Sequence, residues 1–250
     1  MTDKPAAPSA QGFPWLLSLF ALIAFAILMS LGFWQVERLQ WKEALIAQVE
    51  ARIHAEPGPL PPRADWAQLK PIDYDYAHVR VTGRLDPARE ALIFRGAGKI
   101  GQGAAQPGYW IMTPLLLADG SSLLVNRGFV PLANKEPATR PDPQRGQEVT
   151  LTGLMRAPED RNLFTPADDP AKGQWYTRDP QAIAAALGLP NPAPFSLDED
   201  AHTAAPGAPA GGATVFDIPN NHLSYAGTWF GLAGTLVAVF GYFVWRRRRG

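Results

Sequence analysis

Asn220-Asn221-His222-Leu223-Ser224-Tyr225-Ala226-Gly227-Thr228-Trp229-Phe230-Gly231-Leu232-Ala233 opens an apolar run that continues to Trp245 and stops at Arg246-Arg247-Arg248-Arg249. This stretch decides the architecture. As a helix at roughly 1.5 Å per residue it reaches about 30 Å or more, the depth of a bilayer's hydrocarbon core, and Leu223 to Trp245 carries no formal charge. The arginine block marks the end that stays in the cytoplasm.

A second apolar run, Trp15 to Trp34, meets the same length test. A cleaved signal peptide would need a basic start, a shorter apolar stretch and a small-residue cleavage site, whereas here Gly32-Phe33-Trp34-Gln35 follows, with no A-x-A site. The run is therefore expected to be an uncleaved anchor. With the arginines inside, two spans place both termini in the cytoplasm. The sequence then divides into a cytoplasmic tail (1–14), transmembrane helix 1 (15–34), an extracytoplasmic domain (35–221), transmembrane helix 2 (222–245) and a basic cytoplasmic tail (246–250). In a bacterial host this is a multi-pass protein of the cell inner membrane with a periplasmic domain.

The 250 residues include 23 basic and 23 acidic side chains, so no charge excess argues for nucleic acid as a partner. Cysteine is absent, and the exported domain must fold without disulfides. About 185 residues suffice to bury a core.

Helical spacing of Leu39, Ile46, Val49 and Ile53 predicts that the first span runs on as a stalk over 36–53, ended by Pro57, Pro59, Pro61 and Pro62. Beyond it, β-branched and aromatic runs predict strands at 76–85, 91–95, 109–117, 121–130 and 148–155. Asp119-Gly120 reads as a hairpin, and Asp179-Pro180 opens a helix stopped by Gly188. The connections at 131–146, 190–194 and 204–212 read as loops. The expected fold is a membrane protein whose two transmembrane helices flank a mostly antiparallel, barrel-like α+β domain.

No nucleophile, zinc, P-loop or dinucleotide motif is present; Gly101-Gln102-Gly103 is only a G-x-G in a loop. His54, His78, His202 and His222 are far apart in sequence. Asp168-Asp169 and Asp198-Glu199-Asp200 read as solvated loop charges. His222 has two readings: a polar residue satisfying free backbone groups at a helix start, or an axial ligand to a haem at the membrane boundary. In the second, Tyr225, Ala226 and Trp229 share its helical face, the alanine leaving room and the rings giving apolar contact. At the outer end of the first span, Trp34, Arg38 and Trp41 lie near one face, where Arg38 or Lys42 could meet haem propionates or the stretch could simply anchor to lipid. Arg127 could meet a partner's carboxylate or seal the sheet rim.

Three motifs occur in order: L-G-x-W-Q-x-x-R-x-x-W-K at 31–42, V-N-R-G-F-V-P at 125–131 and N-x-H-L-x-Y-A-x-T-W-F-G-L-A at 220–233. Together they resemble the Surfeit-locus (Shy-type) family of cytochrome c oxidase assembly factors, over essentially the whole chain. That resemblance implies a non-enzymatic chaperone that binds haem a transiently and assists its insertion into the catalytic subunit of the haem-copper oxidase. It implies His222 as the iron ligand. Cofactor contacts are then expected from Tyr225, Trp229, Trp34 and Arg38, with haem a synthase and membrane lipid as further partners. The alternatives are a haem-free scaffold for the nascent oxidase subunit and a membrane-anchored hydrolase, for which no motif speaks.

Overall fold

The computed structural model describes residues 15–98, 105–141, 146–202, 207–209, 211–212 and 220–249. The tail 1–14, Gly101-Gln102-Gly103, Asp217 and parts of the 131–146 and 204–212 connections lie outside the described residues. Two compact units divide the chain: residues 1–48 with 217–250, and residues 49–216.

In the first unit the apolar runs form α1 (Trp15–Ile53) and α4 (His222–Arg249). Both are long and apolar enough to cross a membrane, and only 6% of each apolar window is buried. A core helix of a soluble protein would be covered; here Leu16, Phe20, Leu223 and Val239 stay exposed. Apart from Gln35, the buried positions described in this unit are small. Ala226 and Ala233, seven residues apart and so on one helical face, are 2% and 1% exposed. On α1, a methyl group placed on Gly32 would meet the Phe230 ring at 2.4 Å, and Phe33 packs edge-on against Phe230 at 5.5 Å. Small residues let the two backbones approach closely, the usual way apolar helices pair where water supplies no driving force.

The second unit is a mixed sheet. Its strands are β1 (Gly58–Pro59), β2 (His78–Leu85), β3 (Ala91–Gly98), β4 (Gln106–Leu116), β5 (Ser122–Pro131), β6 (Glu148–Arg156) and β7 (Pro192–Glu199). Two helices accompany them, α2 (Pro71–Tyr74) and α3 (Pro180–Ala186). The order is β1-β2-β6-β7-β5-β4-β3, and Arg84↔Leu116 with Leu85↔Leu115 adds a pairing of β2 with β4. Among the described residues five pairings are antiparallel and two, β1–β2 and β5–β7, are parallel.

Side-chain alternation explains the core. On β5, Leu123 and Val125 join a cluster with Val81, Leu115, Leu151, Phe195 and Leu197, while Leu124 joins Ile93, Met112, Trp175 and Ile183 on the other face. Both faces of β5 are thus covered, and Ser122 to Val130 is buried without interruption. The Asp119-Gly120 hairpin forms between β4 and β5, with Gly120 at a φ of 75° that an L side chain rarely adopts. Asp179 caps α3 by accepting hydrogen bonds from the Gln181 and Ala182 amides, as its position before Pro180 predicts.

One loop of the sequence reading is a strand. Residues 190–194, rich in proline, lead directly into β7. Pro192 is its first residue, and the register steps from Ser122↔Pro192 to Leu124↔Ser196, so that Pro194 falls in a bulge where no ladder donor is required.

Candidate functional site

His222 is the first residue of α4 and is half-buried. Its Nδ1 lies 2.7 Å from the Oε1 of Gln35, a side chain on α1 that is 8% exposed. The bond joins the two stretches that the sequence singled out at opposite ends of the chain. The first backbone bond of α4 runs from the Tyr225 amide to the Asn221 carbonyl at 3.2 Å. No hydrogen bond among the described residues occupies His222 Nε2.

Around this pair the expected contacts sort themselves by exposure. Tyr225 is 56% and Trp34 54% exposed, and Trp229 is half-buried. Ala226, on the same helical face, is 2% exposed. Arg38, three residues beyond Gln35 on α1, is exposed, with its guanidinium 3.9 Å from the centre of the Trp41 ring. It makes no ion pair among the described residues. The sequence reading quoted Gln35 within the 31–42 motif but gave it no role, although an amide beside an apolar run is itself a signal, since a buried polar group needs a partner.

The sheet unit holds a different kind of polar chemistry. Asp198 and Glu199, read from sequence as solvated, are 3% and 7% exposed. The Arg127 Nε donates to Glu199 Oε2 at 2.6 Å. Asp198 accepts from Asn126 at 3.0 Å, from Arg156 at 3.2 Å and from Arg178 at 3.2 and 3.3 Å. Arg95 grips both oxygens of Glu159 at 2.8 and 2.7 Å, and Arg140 meets Glu90 at 2.7 Å. Burial opposes the charge on Glu159, but Arg95 and Arg178 outweigh it and hold the carboxyl below its usual range. Glu159 so held is an ionised structural acceptor. General acid catalysis asks for the opposite environment.

His78 joins Asp200 to Ala55 within the second unit: Nε2 sits 2.8 Å from Asp200 Oδ2 and Nδ1 2.7 Å from the Ala55 carbonyl. Burial works against its charge, yet the two acceptors and the nearby Asp200 and Glu56 charges raise its pKa. Two oxygen acceptors suit an imidazolium donating from both nitrogens and leave no lone pair for a metal. Among the described residues no three His, Cys, Asp or Glu side chains converge as a metal site. His202 likewise has only Nδ1 engaged, 3.3 Å from the Asp200 carbonyl; what distinguishes His222 is that its one anchored nitrogen lies at the start of a long apolar helix.

A model of the SURF1 family matches residues 22–234, which include both Gln35 and His222. Surfeit locus protein 1 of Mus musculus is 39% identical over 261 residues, covering 98% of this chain and 81% of the relative. The human protein of that name is 38% identical over 232 residues, covering 88% and 73%. A SURF1-like protein of Monosiga brevicollis is 34% identical over 257 residues, covering 98% and 91%.

Proposed function

The chain belongs to the SURF1 family of cytochrome c oxidase assembly factors, and from that premise we propose that it takes haem a on His222 and passes it to the catalytic subunit of the haem-copper oxidase. The relatives are named for a locus and not for a catalytic activity. In this reading α1 and α4 cross a bacterial inner membrane with both ends in the cytoplasm, as Arg246 to Arg249 favour, and the sheet unit lies on the far side.

One observation carries the haem assignment. His222 begins an apolar helix with Nδ1 held by Gln35 and Nε2 uncommitted, a donor set suited to one axial position. Haem a supplies an iron that accepts an imidazole nitrogen, an apolar macrocycle and anionic propionates. The residues present match those needs: His222 for the iron, the exposed rings of Trp34 and Tyr225 with Trp229 for the macrocycle, and Arg38 for a propionate. A single protein ligand also suits a carrier, whose affinity must stay below that of the destination.

The test is the absorption spectrum of protein purified from cells that make haem a. The expected result is Soret and α bands that His222→Ala largely removes, with loss of assembled oxidase. A haem-free protein that still supports assembly would refute the carrier.

A second reading, the haem-free scaffold, is favoured by Leu163 and Phe164, which are 99% and 93% exposed. Their loop is pinned by Arg161, which donates to Asp168, to Thr177 and to the Pro166 carbonyl, and by Asn162, which accepts from the Phe164 amide. Such a tip would grip an apolar surface of the oxidase subunit. It predicts that Leu163→Ser with Phe164→Ser stops assembly while His222→Ala does not.

A further inference from the structure

The haem reading of His222 leaves open how one imidazole is kept ready for iron and yet able to let it go. Resting on that reading, we propose that Gln35 is the positioning residue that locks His222 as the Nδ1–H tautomer and sets the strength of its Nε2 as a ligand.

A neutral imidazole has one N–H and one lone pair, and an amide oxygen can only accept. With Gln35 Oε1 2.7 Å from Nδ1, the proton sits on Nδ1 and the lone pair on Nε2. Without that acceptor an imidazole in water favours the reverse arrangement, which would turn an N–H toward the iron's place. Gln35 is 8% exposed, so water does not readily substitute for it. The helices are held together nearby: α1 approaches α4 through Gly32, one turn before Gln35, and Phe230, about two turns beyond His222.

The identity of the acceptor matters as much as its place. Hydrogen bonding at the distal nitrogen raises the basicity of a ligating histidine, and a carboxylate does so more strongly than a neutral amide. A glutamine therefore orients the ring while leaving its hold on iron moderate. That is what a protein needs if it must release its cargo to a stronger site. A bond that merely stapled two helices together would not depend on this distinction.

The experiment uses the full-length protein in lipid nanodiscs, with 15N-labelled histidine in the haem-free form and with haem a loaded during growth. In the haem-free wild type, the His222 ring should show a protonated Nδ1 and an unprotonated Nε2. Gln35→Met, which keeps apolar volume but removes the acceptor, should shift the ring toward the Nε2–H form and weaken haem binding about 10- to 100-fold. Gln35→Glu should keep the tautomer, raise the iron–histidine stretching frequency of the ferrous form and slow haem transfer to the oxidase. An Nε2–H ring in the wild type, which is what a reversed amide would give, overturns the proposal. So does an identical ring spectrum and iron–histidine frequency in all three proteins. If haem survives His222→Ala, the carrier reading fails by itself, and the haem-free ring spectra still decide whether Gln35 sets the tautomer.

Discussion

Replacing Glu199 by glutamine removes a charge from the sheet unit with almost no change of shape, and the structure fixes what this costs. The Arg127–Glu199 contact is 2.6 Å, with side chains 5% and 7% exposed, so water cannot take over the lost partner. At an effective dielectric of about 20, unit charges some 4 Å apart attract by about 4 kcal/mol. This agrees with the roughly 3–5 kcal/mol measured when one member of a buried pair is deleted. The amide oxygen can still accept from Arg127, which argues for the lower end, about 3 kcal/mol. For a unit of this size that corresponds to a drop in Tm of about 6–12 °C. Urea unfolding of the detergent-solubilised protein, followed by near-ultraviolet circular dichroism, measures it. Arg127→Met combined with Glu199→Leu should cost less than Glu199→Gln alone, because both charges of the pair are then removed from the interior. A single variant within about 0.5 kcal/mol of wild type, the usual range of exposed substitutions, would refute the assignment of this pair as a desolvated clamp.

The raised pKa of His78 makes its bridge to Asp200 and Ala55 pH-dependent: its stabilisation is complete below the unfolded value of 6.5 and is lost as pH rises through the higher folded value, and His78→Gln should flatten that slope in urea titrations. Gly153→Ala on β6 would put a methyl 2.2 Å from the Asp198 carbonyl oxygen and should destabilise the unit by about 1–3 kcal/mol, whereas Gly96→Ala, with open space around it, should leave the urea midpoint unchanged. In the helix pair, Gly32→Ala should force Phe230 aside and lower the melting temperature in detergent, while Gly234→Ala, whose added methyl meets nothing, should not.

The elements whose information is local were legible in the sequence. The two apolar helices, the Asp119-Gly120 turn, the Asp179 cap and the strands from His78 to Arg156 follow from periodicity and punctuation between neighbours. β7 was not legible, because Pro192 and Pro194 read as a loop and only the bulged register with β5 makes them compatible with a sheet. The burial of Asp198 and Glu199 was hidden for a related reason. Their partners Asn126, Arg127, Arg156 and Arg178 come from distant strands and loops, and an acidic triplet carries no mark of who will meet it. At the candidate site, His222 was visible as a histidine in an unusual place. Gln35 sat in plain view beside Trp34, but its role is defined by a contact across 187 residues of sequence.

The place of β7 has a consequence for how the chain is made. It lies between β5 and β6 and is the last of the described strands to leave the ribosome. Until Pro192 to Glu199 emerges, β5 and β6 each present an open edge, Arg127 has not met Glu199, and Arg156 and Arg178 have not met Asp198. The central seam cannot close co-translationally from its first half; the nascent unit must wait, unfinished and prone to mispairing, for a segment synthesised some forty residues after β6. Truncations or stop codons ahead of Glu199 would therefore leave an open sheet in place of a smaller stable one, and quality-control proteases would meet them as unfolded substrates.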